Sequence, residues 1–356
     1  MSTTIEPSRS DDGARGPAAV TDAAGATTRA PDAARRTSST PAGAGAGVGG
    51  PAAPSSPARV DRLTWGLAVA NLVAQIGIIV TGGAVRLTDS GLGCSSWPMC
   101  EPGSFTPVFQ EATSIHPYIE FGNRTVTGVL GVIAVALLWA VYRREPTASR
   151  PASLRRLAWL PLAGVALQAV IGGITVWVDL HPAIVGSHML ISLALVAVSA
   201  YLLVRLRQGD GTVVRLAPPV LRALPWVLAG LTAVLLTLGT IVTGTGPHSG
   251  DADEASRYAL DPISVTRLHS GSVWLFVLVS ITAAVLLRRR RDDPRLDRAR
   301  QVWPGLLAVV AVEGVIGYTQ HFLGLPEVLV GLHMLGAGLV TVAVTYACCA
   351  FYTRRD

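Results

Sequence analysis

The chain has 356 residues, half of them hydrophobic, with a mean hydropathy of +0.46 and a formal net charge of +6. That profile excludes an ordinary soluble domain and describes a polytopic membrane protein, one whose main partner is the lipid bilayer. All 29 basic residues are arginine and they lie between apolar segments, so the positive balance reports membrane orientation rather than a nucleic-acid partner.

Residues 1 to 57 are Ala, Gly, Pro, Ser and Thr with scattered charge, a composition that cannot bury enough surface to fold and predicts a disordered tail. The first apolar run begins only near Leu63 and is long enough to span, which argues against a signal peptide. Eight apolar spans follow, near 63 to 85, 118 to 141, 155 to 178, 182 to 206, 219 to 243, 263 to 287, 301 to 321 and 327 to 351. Each matches a hydrocarbon core of about 30 Å.

Arginine sets the orientation. The linkers after spans two, four and six carry Arg143, Arg144, Arg150, Arg155 and Arg156, then Arg205, Arg207, Arg215 and Arg222, then Arg288 to Arg291, Arg295, Arg298 and Arg300. These are the cytoplasmic faces, so both termini are expected inside, with the long loops 86 to 117 and 244 to 262 outside. The Ala-, Arg- and Gly-rich composition suggests a GC-rich bacterial genome, hence a bacterial plasma membrane.

The second half of the chain repeats the first. VIGGITVWVDLHPAIVGSHML at 170 to 190 aligns without gaps on VIGYTQHFLGLPEVLVGLHML at 315 to 335, with nine identities that place His188 on His333. GIIVTG at 77 to 82 likewise returns as GTIVTG at 239 to 244. An even number of spans per half makes these parallel repeats about an axis along the membrane normal. The expected fold is all-α: two parallel-repeat four-helix bundles, residues 58 to 210 and 211 to 356, behind the tail at 1 to 57.

His188 and His333 lie about six residues into their helices, and His269 lies at similar depth in span six, so all three share a layer about 10 Å below the outer face at about 1.5 Å per residue. The span-two position matching His269 is Asn123. Paired imidazoles projecting from facing helices are how membrane cytochromes hold haem iron; the second half has the pair, and the first has one. Interhelical hydrogen bonding is the alternative for any one of these histidines.

Other polar groups keep two readings. Glu120 is a carboxylate at membrane depth, or half of an i, i+4 ion pair with Arg124. Glu313 in span seven matches Gln168 in span three, which favours a structural hydrogen bond. Cys94 and Cys100, on the oxidising side, favour a disulfide, with a redox-active pair as the alternative. His116, His181, His248 and His321 fall in or beside outer loops and read as solvated, and Cys348 and Cys349 read as small buried apolar residues.

Four motifs, TGGAVRLTDSGLGCSSWPMC (81 to 100), IEFGNR (119 to 124), DLHPAIVGSHML (179 to 190) and GLPEVLVGLHML (324 to 335), resemble the heme A synthase family. The resemblance runs from about residue 63 to the end. It implies an oxidoreductase that converts heme O to heme A, taking a ring methyl to a formyl group through successive hydroxylations. It implies a heme b cofactor held by His269 and His333, and a substrate heme O near His188, with Glu120 assisting the oxidation. Cys94 and Cys100 would brace the outer loop, and Arg86 and Arg124 become candidates for pairing with haem propionates. It further implies an electron donor or acceptor, and pathway logic adds the farnesyltransferase that makes heme O, heme O synthase, as a partner. One residue departs from the pattern: most relatives read E-x-x-H-R where this chain has Glu120, Phe121, Gly122, Asn123 and Arg124, and asparagine is a poor iron ligand. The competing reading is a di-haem electron-transfer cytochrome that leaves its haems unaltered.

Overall fold

The computed structural model describes residues 59–108, 114–251 and 256–355; the expected tail at 1 to 57 lies outside the described residues. Among these, eight helical stretches are long and apolar enough to cross a bilayer, and they make a multi-pass, all-α membrane protein. The helices are α1 (Arg62–Leu87), α2 (His116–Arg143), α3 (Ala152–Leu157) continuing into α4 (Trp159–Trp177), α5 (Pro182–Arg207), α6 (Leu224–Thr245), α7 (Pro262–Arg289), α8 (Asp297–Phe322) and α9 (Glu327–Cys349). Their starts follow from local chemistry. Asp61 caps α1 by accepting from Leu63 N and Thr64 N, Asp261 caps α7 through Ser264 N, and proline occupies the first turn of α2, α5, α6 and α7, where its missing N–H costs nothing.

The third expected span departs from a single helix. Pro161 has no N–H to offer the carbonyl of Leu157, and the chain breaks there, α3 ending at Leu157 and α4 starting at Trp159. A second departure is a short antiparallel ribbon, β1 (Thr212–Arg215) paired with β2 (Tyr352–Arg355), which ties the linker after α5 to the end of the chain.

The helices pack as two rings. In the first, α1, α2, α4 and α5 meet in that cyclic order; in the second, α6, α7, α8 and α9 do the same, and α1 and α5 face α9 and α6 across the middle. The repeat extends to backbone detail. Leu180 and Leu325, matched in sequence, both take a left-handed conformation, with φ of 54° and 63°, in the turn before the histidine-bearing helices α5 and α9.

Side-chain size decides where the interior is solid. Leu137, Leu154, Val196 and Leu203 fill the first ring, and Phe276, Leu287, Trp303 and Leu306 fill the second. These lie between the histidine layer and the arginine-rich ends. The opposite end is left open, a largely apolar space with glycines and a few polar side chains on its walls. Outward-facing Val132, Trp226 and Leu278, each at least 62 % exposed, are the bilayer contact.

Candidate functional site

The open end contains a cavity of about 970 Å³, at the upper end of the range of about 300–1,000 Å³ typical of small-molecule sites. His188, His269, His333 and Asn123 all line it, together with Glu120, Arg86 and Arg124. The structure therefore brings the residues singled out in the sequence to one space.

Each histidine rests on a glycine of the preceding helix. A Cβ on Gly172 would stand 3.6 Å from His188 Cε1, one on Gly239 would stand 3.3 Å from His269 Cε1, and one on Gly317 would stand 3.1 Å from His333 Cε1. At Gly239 and Gly317 these distances are tighter than nearly all real Cβ contacts, so a side chain there would press on the ring, whereas at Gly172 the distance is ordinary van der Waals contact. Asn123 occupies the matching place against Gly82, 4.0 Å from its would-be Cβ. The recurrence of Gly172 as Gly317 was visible in the sequence, but its purpose as a seat for a ring was not.

The ring nitrogens are set differently in the two halves. His269 Nδ1 donates to the carbonyl of Leu235 at 3.0 Å, which fixes the tautomer and leaves Nε2 as the nitrogen with a free lone pair. Nδ1 of His333 lies 3.0 Å from Glu313 Oε1 but off the hydrogen-bonding direction, so Nδ1 and Glu313 Oε2 remain buried without hydrogen bonds. Gly336 makes room for that carboxylate, since a Cβ there would run into it. Gln168, the repeat counterpart of Glu313, instead donates to the backbone carbonyl of His188 at 2.8 Å and leaves His188 Nδ1 unpartnered. The expected structural hydrogen bond exists in the first half, and a carboxylate–imidazole approach replaces it in the second.

The outer loop forms a roof. Cys94 and Cys100 are joined in a disulfide and fully buried, and Trp97 covers Gly173 of α4 and meets Trp177 edge to face at 5.6 Å. Glu120 holds this loop from below, accepting the Cys94 N–H at 2.7 Å through Oε2 and pairing with Arg124 through Oε1. Arg124 Nη1 donates to the Ser96 and Met99 carbonyls at 3.0 and 3.2 Å. The i, i+4 ion pair is thus part of the roof. Arg86 of α1 reaches across to the second half, donating to the carbonyls of His248 and Thr243 at 2.5 and 2.9 Å, and has no carboxylate partner among the described residues.

The outer histidines divide. His181 and His321 are exposed, as the loop reading expects. His116 Nδ1 lies 2.8 Å from the Ser90 hydroxyl and His248 Nε2 donates to the Leu325 carbonyl at 2.9 Å, so one is tied to a loop side chain and the other to loop backbone.

A multi-pass helical membrane protein with a duplicated histidine layer around one largely apolar cavity is the class that this fold and site define. Residues 64–248 match the COX15-CtaA family, described as cytochrome oxidase assembly protein, and the chain belongs to that family. It is similar to the heme A synthase of Symbiobacterium thermophilum, 31% identical over 188 residues, which are 51% of this chain and 59% of that protein. The heme A synthase of a Bradyrhizobium species (strain ORS 278) is 26% identical over 332 residues, covering 80% of this chain and 88% of that one. That of Shewanella oneidensis is 32% identical over 190 residues, 48% of this chain and 54% of the relative. The chain therefore spans little more than half the length of two of these relatives and most of the third.

The family implies a haem-related group, and the residues fit one. A cavity of about 970 Å³, three imidazoles with nitrogens pointing to no protein partner or only through Nδ1, and glycine seats on which the rings rest fit a histidine-ligated macrocycle.

Proposed function

We propose that the chain is a heme A synthase: an oxidoreductase that takes heme O and oxidises one ring methyl to the formyl group of heme A. The observation that carries this reading is the histidine layer, in which repeat-related helices set His188 in one half and His269 with His333 in the other around one cavity. Residues 58 to 210 form the substrate half and residues 211 to 356 the cofactor half. His269 and His333 would hold a heme b, and His188 would hold heme O.

A heme b held in the second half supplies one-electron redox chemistry. The protein's part is to orient and exclude. The Leu235 carbonyl fixes the tautomer of His269, and the Glu313 carboxylate lies beside Nδ1 of His333 without hydrogen-bonding it. Trp97 and the disulfide roof close the substrate half against water. Two hydroxylations, each adding one oxygen atom and removing two electrons at the expense of an external oxidant, would convert the methyl to a hydrated aldehyde, which becomes the formyl group by losing water. Glu120 is the carboxylate at the cavity edge that carries the proton in that loss. Arg86, whose charge meets only neutral carbonyls, is better suited to a haem propionate than Arg124, whose charge Glu120 already balances. The arginine-rich ends support both termini lying on the cytoplasmic side of a bacterial plasma membrane, and heme O synthase is the natural neighbour for handing over a substrate this insoluble.

The test is acid-acetone extraction and chromatography of haems from the protein purified after co-expression with a heme O synthase. Heme A or its hydroxylated precursor is expected from the wild type and lost with His188→Ala. Two unmodified heme B molecules per chain would overturn the synthase reading in favour of an electron-transfer cytochrome.

A further inference from the structure

We infer that the first-half site holds its haem by His188 alone and that its opposite face is built to receive a small exogenous iron ligand, water or a neutral diatomic, with the Asn123 amide as hydrogen-bond donor. This rests on His188 being the axial residue of the first-half haem. Asn123 stands where the repeat puts His269, at the same eighth position of its helix, and lines the same cavity. It is not a substitute ligand. An amide nitrogen has no lone pair to give a metal, an amide oxygen suits hard cations rather than haem iron, and the side chain stops short of where an imidazole Nε2 would reach.

A hydrogen bond fixes which end of the amide is available. Thr81 Oγ1 donates to Asn123 Oδ1 at 2.7 Å, so Oδ1 is engaged and Nδ2, with its two protons, is left facing the cavity with no acceptor among the described residues. The second half shows that this contact is particular to the first. Thr81 Oγ1 also lies 3.3 Å from the Ile78 carbonyl of its own helix, but the hydroxyl of Thr243, its repeat counterpart, bonds only the Gly239 carbonyl of its own helix among the described residues and leaves His269 alone. The Thr81–Asn123 pair therefore replaces an axial ligand with an oriented donor. A donor a short distance from an open iron position is what stabilises a bound polar or polarisable small ligand. Met189 and Met334 also line the cavity with thioethers able to bind iron, and Met334 Sδ is packed on Gly83, 2.8 Å from where a Cβ would be.

The experiment is resonance Raman and carbon monoxide titration of the purified full-length chain with haem in both halves. A mixture is expected: one low-spin haem that ignores carbon monoxide, and one high-spin haem that binds it and disappears in His188→Ala. Asn123→His should convert the high-spin haem to low-spin and abolish carbon monoxide binding to it. Asn123→Leu, of similar size, should keep the high-spin state but raise the C–O stretching frequency and weaken cyanide binding about tenfold, the factor one hydrogen bond of ordinary strength supplies. An unchanged stretch and cyanide affinity in Asn123→Leu would overturn the donor role. A His188-dependent haem that is already low-spin in the wild type, and turns high-spin in Met189→Leu or Met334→Leu, would overturn the open face while leaving the synthase reading intact. If His188→Ala changes neither haem content nor spin state, the assignment of His188 fails, and the proposed substrate site fails with it.

Discussion

Gly317 of α8 is the seat of His333: a methyl group on Gly317 would stand 3.1 Å from the imidazole Cε1, closer than most such carbons ever come to a neighbour. Gly314, one turn earlier on the same helix, has nothing within 4 Å. Two glycines in one apolar helix therefore answer to different constraints. Gly317→Leu is expected to displace the ring and remove the low-spin haem proposed for the second half, read as the ratio of haem to protein and the optical spectrum. Gly314→Ala should keep the haem and stabilise the helix by about 0.5–1 kcal/mol, since alanine in a helix interior loses less backbone freedom on folding. Full haem retention in Gly317→Leu would show that the contact does not constrain the ligand.

The roof makes a separate prediction. Glu120 accepts the Cys94 N–H at 2.7 Å and balances Arg124, and its side chain is only 7% exposed. Glu120→Ala leaves a buried N–H and a guanidinium without their acceptor and is expected to destabilise the protein by about 2–3 kcal/mol. Glu120→Gln, which retains an acceptor for Cys94, should cost roughly half of that. Thermal unfolding in detergent under non-reducing conditions measures both. Wild-type stability in Glu120→Ala would mean that Arg124 and the Trp97 contact with α4 hold the loop without the carboxylate.

How much of this was readable beforehand depended on whether the signal repeats. His188 and His333 announced themselves because the chain writes the same stretch twice, and the eight spans did so because lipid demands long apolar helices. The Leu235 carbonyl that sets the tautomer of His269 left no trace, because every residue has a carbonyl and only packing selects one. Thr81 and Asn123 are 42 positions apart, and nothing in either segment says that they meet. The ribbon of β1 and β2 joins two four-residue pieces from distant parts of the chain, too short for any periodicity to show. The break before α4 was legible in principle, since Pro161 cannot donate to Leu157.

Arg86 joins the halves and carries an unbalanced charge, and two substitutions separate those roles. Its Nε and Nη2 hold the carbonyls of His248 and Thr243. Arg86→Gln is expected to loosen the 246 to 250 loop, seen as faster amide hydrogen exchange there, and also to weaken haem retention. Arg86→Lys keeps the charge but not the two-pronged geometry. It should loosen the loop to a similar degree while retaining more haem than Arg86→Gln. Equal haem loss in both variants would assign Arg86 to loop architecture alone.

At the arginine-rich end, Asp61 couples α1 to α2, and here pH is the informative variable. Its carboxylate accepts from Leu63 N and Thr64 N at 3.1 and 3.2 Å and takes a hydrogen bond from Arg144 Nε at 2.9 Å. Burial pushes the carboxyl up, but the hydrogen bonds from Thr64 and Arg144 outweigh it and hold the group below its ordinary value of 3.8. A depressed carboxylate contributes its full stability above the unfolded value, about 3.9, and loses it as pH falls through the lower folded value. Asp61→Ala should therefore cost about 1 kcal/mol near neutral pH, and the gap to wild type should close as the solution is acidified below about pH 4. Asp61→Asn still caps the helix but cannot titrate, so its difference from Asp61→Ala should be the same at both pH values. A gap between wild type and Asp61→Ala that persists undiminished in acid would mean that the cap acts through its shape, with its charge and the Arg144 contact contributing nothing.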